Sequence, residues 1–118
     1  MDYQRSQKFL ERLEKFSDEV NRLCNLLPKT TINIEIISQL VRAAGSIGAN
    51  YIEALESFSQ KDFYFRIKIC RKESRESAFW LKRLSMANST KVFECSKLAT
   101  EATEYVMIFS KILTTGNK

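Results

Sequence analysis

The sequence predicts an all-α protein: an antiparallel, up-down-up-down four-helix bundle filling one domain, residues 1–118. Three observations carry this. Gly occurs three times and Pro once in 118 residues, too few for the turns a sandwich or barrel consumes. Apolar residues recur every three or four positions in four separate stretches. The connections between those stretches are short, which makes consecutive helices antiparallel neighbours. With 44% apolar and 28% charged residues, the chain can bury a core and is not of disordered composition.

The first helix is expected over about 3–27. Its stripe is Phe9, Leu13, Phe16, Val20, Leu23, Cys24 and Leu27, and Pro28 closes it because proline lacks an N–H and disfavours helix at the preceding residue. Thr30 or Thr31 can cap the second helix, about 32–56. That helix holds four charges (Glu35, Arg42, Glu53, Glu56), so it is expected to be covered on more than one side. Its Gly45 and Gly48 each cost about 1 kcal/mol of helix propensity against Ala. Their retention predicts a backbone in close approach, and both are candidate oligomer contacts.

Ser59 followed by Asp62 resembles a capping box and opens the third helix, about 60–86, with the core arc Phe63, Ile67, Cys70, Ser74, Ala78 and Leu81. Asn88 is expected to end it in a left-handed conformation. The fourth helix, about 90–114, buries Val92, Cys95, Ala99, Ala102, Val106, Phe109 and Leu113.

Histidine is absent, which removes His-based triads, general bases and metal ligands, and the Glu-x-x-His signature of di-iron bundles. Cys24, Cys70 and Cys95 are isolated and odd in number, against a zinc or disulfide framework; they read as small core residues in a reducing compartment. No stretch is apolar enough to span a membrane, and residues 1–11 lack a signal-peptide apolar block, so a cytoplasmic location is expected. With no nucleophile–base pair, the chain is expected not to be an enzyme and to need no cofactor or metal.

The net charge is +5. Residues 61–83 hold eight cations against Asp62, Glu73 and Glu76, so this segment carries the whole excess. At 100° per residue, Tyr64, Lys68, Arg71, Arg75, Phe79 and Lys82 share an arc, flanked by Lys72 and Arg83. Lys68 with Lys72 and Arg71 with Arg75 are like charges at i,i+4, which disfavour the helix. Cations interleaved with aromatics suit nucleic acid, with charge for phosphates and rings for bases; a solvated basic face without ligand is the plain alternative. Phe65, Ile69 and Trp80 form a second apolar set on the opposite flank, expected to contact another subunit. Arg42, Asn50 and Glu53 on the second helix face Arg66, Glu73 and Glu76 on the third, an expected polar network that fixes register.

The segments Arg42-Ala-Ala-Gly-Ser-Ile-Gly-Ala-Asn-Tyr-Ile-Glu-Ala54, Ser59-Gln-Lys-Asp62-Phe63, Arg66-Ile-Lys-Ile-Cys-Arg-Lys-Glu73-Ser-Arg-Glu76 and Trp80-Leu81 together resemble the four-helix-bundle proteins encoded in 23S rRNA intervening sequences. The turn Leu27-Pro28-Lys29-Thr30 and the tail from Glu104 to Lys111 fit as well. Tyr51-Ile52-Glu53-Ala54 departs from the Ile-Ala-Glu-Gly of many members. The resemblance implies a bacterial, cytosolic, non-enzymatic protein that forms a ring-shaped homopentamer. It also implies kinship with the accessory protein of diversity-generating retroelements, a basic pentamer that binds nucleic acid and a reverse transcriptase. Two functions are therefore expected to compete: an oligomer that binds RNA or DNA through the third helix, and an oligomeric adaptor for a protein partner.

Overall fold

A computed structural model describes residues 3–116. Four helices, α1 (Tyr3–Asn25), α2 (Thr31–Leu55), α3 (Gln60–Ala87) and α4 (Val92–Gly116), pack as an antiparallel bundle measuring 45 × 22 × 21 Å. Two of the starts have a clear local cause. The Thr30 hydroxyl accepts from the Asn33 N–H at 3.1 Å and caps α2, and the Ser59 hydroxyl accepts from the Asp62 N–H at 3.1 Å and caps α3. Each satisfies an N–H that the first turn of a helix leaves without a partner.

The left-handed stop expected at Asn88 does not form: its φ is −137°, and no described residue has positive φ. The side chain ends the helix instead, its amide donating to the Leu84 carbonyl at 2.9 Å. A single 3-10 turn, Ser89–Lys91, then leads into α4, so α4 begins later than its apolar pattern suggests. Val92 is consequently exposed.

The core joins Leu13, Phe16, Val20, Leu40, Ile47, Ile67, Leu81, Leu84 and Phe109 with two tyrosines, Tyr51 and Tyr105, all at most 1% exposed. Fully burying one such aliphatic or Phe side chain is worth roughly 1.5–3 kcal/mol. Phe9 ties the rings together edge-on, with centroids 5.2 Å from Tyr51, 5.9 Å from Tyr105 and 5.6 Å from Phe109. Tyr105 departs from the sequence stripe because its hydroxyl is served inside the bundle. It hydrogen-bonds Glu101 and lies 3.4 Å from the Arg12 carbonyl.

The helix α3 lies closest to α2 and α4, and between Ile67 and Leu81 its inner face is small: Cys70, Ser74, Ser77 and Ala78. The two serine hydroxyls donate to carbonyls one turn back, Cys70 and Glu73, each at 2.8 Å, so they are buried without loss. The Cys70 thiol reaches the Ile47 carbonyl of α2 at 3.5 Å. This close packing inside leaves the opposite side of α3 as a long outer wall.

Candidate nucleic-acid interface

On that wall, residues 61, 65, 68, 72, 75, 79, 82 and 86 alternate in steps of four and three, and all eight are exposed. Such spacing makes a nearly straight line on a helix, drifting about 20° per seven residues. The line reads Lys61, Phe65, Lys68, Lys72, Arg75, Phe79, Lys82, Met86 and is about 37 Å long at 1.5 Å per residue. Arg71 and Arg83 flank it.

These cations do not hold the bundle together. The ion pairs among the described residues are Arg12 with Glu101 and Glu104, and Lys91 with Glu94; none uses a cation of α3. A row of like charges that forms no close ion pair works against its own helix and directs most of its field toward solvent.

The expected site residues separate on the structure. Lys68, Lys72, Arg75, Lys82 and Arg83 are exposed, Arg71 is half-buried, and Phe79 is 54% exposed. Tyr64 leaves the group: its half-buried ring packs edge-on against Phe63 at 5.1 Å and covers the end of α4, where a Cβ on Gly116 would collide with it. Phe65 joins the group. It stands seven residues from Lys72, on the cationic line, 58% exposed, and not on an opposite flank. Sequence reasoning misses Lys61, Phe65 and Met86 as members of this line. The four-three spacing is the available signal, hidden unless outward-facing residues are tested for a period of their own.

Ile69 and Trp80 are half-buried, and Trp80 packs against the core. Trp80 packs edge-on to Phe79, centroids 4.8 Å apart. Of the two glycines, Gly48 is buried under α1 and Gly45 is exposed. A Cβ added to either would sit 3.8 Å from its nearest neighbour, Leu13 or Ser17. That is ordinary contact, so the close approach they were expected to serve is not used within this chain. Gly48 is thereby shielded from any second subunit.

Beside the line runs a polar seam between α2 and α3. Arg66 donates to the Asn50 side-chain Oδ1 at 3.1 Å, and the Asn50 side-chain amide donates to the backbone and hydroxyl oxygens of Ser46, each at 2.9 Å. Burial, then the neighbouring Glu76, raises the Glu73 carboxyl pKa, opposed by Ser46 and Lys72. Arg42 instead bonds Gln39 of its own helix, and Glu53 is exposed, so these two stand outside the seam. The seam's length is set by the reach of Asn50 and Arg66, which binary patterning does not encode.

Chemically the wall offers charge and rings. The three thiols are buried, and desolvation pushes Cys24 up to about 11 and Cys70 to about 12, which holds both protonated at neutral pH and dulls them as nucleophiles. Among the described residues no group of three or more Cys, Asp or Glu could hold a metal ion, and no helix is long and apolar enough to cross a membrane.

The family model described as 23S rRNA-intervening sequence protein matches residues 5–111. In fold, the chain is similar to a crystal structure from Bacteroides thetaiotaomicron VPI-5482, a protein of unknown function from the S23 ribosomal protein family. The TM-score is 0.82 at 23% identity, over 92% of this chain and 97% of the other. No curated protein matches the chain.

Proposed function

This chain belongs to the 23S rRNA-intervening sequence protein family, and from that premise we propose that it is a non-catalytic, cytoplasmic homo-oligomer that binds nucleic acid through the outer wall of α3. The observation that supports this best is the unpaired cationic line from Lys61 to Lys82. Its like charges work against the helix, and none of them forms a close ion pair among the described residues, which favours an external anion as their partner. A repeating polyanion matches a repeating cation row, and binding is favoured by the release of counterions.

Two separate surfaces support self-association. Ile69 and Trp80 are two partly uncovered apolar side chains on one side of α3. Gly45, with Ser17, Ala49 and Ile52, floors a groove between α1 and α2. Patches on different faces suit head-to-tail contact, the kind that closes into rings; the five-membered ring implied by the resemblance is of this kind. Repetition of the α3 wall around a ring multiplies weak phosphate contacts.

A second reading, an adaptor for a protein partner, is favoured by one observation. Leu26 and Phe93, 67% and 77% exposed, meet in one groove at the α1–α4 end, rimmed by Glu19, Arg22, Glu94 and Lys97. Salt separates the readings. Nucleic-acid affinity measured by filter binding falls steeply with salt if the α3 wall is the site, whereas an apolar protein interface responds weakly.

A further inference from the structure

Resting on the nucleic-acid reading above, we propose that the ligand of the α3 wall is a single-stranded polynucleotide, which lies along the helix with bases stacked on Phe65 and Phe79. The two rings stand fourteen residues apart on the exposed line, about 21 Å along the axis. Lys68, Lys72 and Arg75 lie between them. A plain phosphate-binding wall has no use for phenylalanine: each ring leaves more than half of its surface in water, an unfavourable arrangement that stacking relieves.

Both rings are braced from one side. The indole of Trp80 meets Phe79 edge-on at an interplanar angle of 80°. The Arg66 guanidinium lies 5.8 Å from the Phe65 centroid and is itself tethered to Asn50. A braced ring loses little freedom when a base settles on it, which is what a stacking platform needs.

The strandedness follows from what the rings can reach. In a duplex the faces of the bases are covered by their neighbours, and the deep, narrow major groove of A-form RNA excludes side chains. A protruding ring then meets only backbone and gains little. In a single strand every base has a free face, and cations between two platforms meet the intervening phosphates. Binding therefore tolerates any sequence and discriminates by strandedness.

The test uses the full chain and four probes: one RNA strand, the same strand annealed to its complement, and the DNA versions of both. The parent is expected to prefer either single strand over its duplex. The double variant Phe65→Ala, Phe79→Ala is expected to lose about 30-fold or more for single strands, two stacks at the low end of their usual worth, with duplex affinity within about twofold. Phe65→Leu, Phe79→Leu keeps apolar bulk and loses the π face, so it is expected to behave like the alanine pair. Trp80 is the only tryptophan, and its fluorescence is expected to change on saturation with a single strand and much less with a duplex. Equal loss for both forms, no loss, or full rescue by leucine overturns the stacking proposal while leaving the phosphate-binding reading intact. A parent that binds none of the four probes overturns both.

Discussion

Asn33 and Asn88 exchange two side-chain hydrogen bonds, 3.0 and 2.9 Å, between the first turn of α2 and the last residue before the α4 connection. Each amide nitrogen donates twice, Asn33 also to the Pro28 carbonyl and Asn88 to the Leu84 carbonyl, both at 2.9 Å. One amide pair thus closes two chain reversals. Because each member is buried, losing one leaves the other's side-chain oxygen without a donor, while its nitrogen keeps the backbone carbonyl. Asn33→Ala or Asn88→Ala is expected to lower unfolding free energy by about 1–3 kcal/mol. The double variant is expected to cost clearly less than the sum, read by urea denaturation as a coupling.

Alkaline pH provides a second check. Burial raises the pKa of Cys70 from 9.0 to about 12 and of Cys24 from 9.0 to about 11, and it raises that of Tyr105 above 10.0. A raised pKa means the native state keeps a proton that the unfolded chain gives up. The thiols' contribution is full below pH 9 and falls as pH climbs from 9 to the folded value, about 11 for Cys24 and about 12 for Cys70. Each thiol loses roughly 1.4 kcal/mol per pH unit within its own window. Cys70→Ser keeps a donor for the Ile47 carbonyl and is expected to flatten the fall of melting temperature above pH 9. An unchanged slope would show that Cys70 titrates freely.

Glu73 lies the other way. Burial and Glu76 raise its pKa, so its charge at neutral pH is a net cost, absent below its unfolded pKa near 4.5. Glu73→Gln retains a partner for Ser46 and is expected to stabilise at pH 7 by under about 1 kcal/mol, since the group is partly solvated. The gain should vanish near pH 4 in paired thermal melts.

The helices are legible in the sequence because their apolar stripes have one period and their breaks fall at Pro28, Ser59 and Asn88. What escapes is where a polar atom finds its partner. Tyr105 falls outside the apolar stripe, and its burial follows only once Glu101, one turn back on α4, and the Arg12 backbone of α1 serve its hydroxyl. Asn88 reads as a left-handed stop, and a residue 55 positions away supplies another way to satisfy it. The cations of the α3 wall other than Lys61 are placed on it by sequence, since charge is read directly. The place of Phe65 among them is not legible, because hydropathy alone assigns an exposed phenylalanine to a subunit interface.

Assembly is tested at two positions with opposite effects on the isolated fold. Trp80→Glu puts a charge on the Ile69–Trp80 side of α3, and sedimentation is expected to shift toward the 13.7 kDa protomer, with helix content kept. Gly45→Ala adds a methyl that fits within the chain, 3.8 Å from Ser17. It is expected to stabilise the helix by about 0.5–1 kcal/mol while loosening any interface that needs a bare backbone there. If the parent itself sediments as a concentration-independent protomer, self-association is ruled out.

Arg71→Glu with Arg75→Glu bears on the central reading. Among the described residues neither arginine takes part in an ion pair, and the change turns the i,i+3 repulsions of Arg71 with Lys68 and of Arg75 with Lys72 into attractions, while positions 71 and 75 remain a like-charge pair. Thermal stability is therefore expected to stay within about 0.5 kcal/mol of the parent or rise slightly. Binding should behave oppositely. Removing two cations from the wall and adding two anions should weaken affinity for every nucleic acid alike, because phosphate contacts carry no sequence information. The plot of log affinity against log salt should flatten by roughly 0.7–0.9 for each phosphate that is no longer neutralised. A variant that is equally stable, binds less, and has a shallower salt slope places the binding surface on α3. A variant that binds as well as the parent, with the same slope, makes the wall a solvated face and moves the function to the Leu26–Phe93 groove and a protein partner.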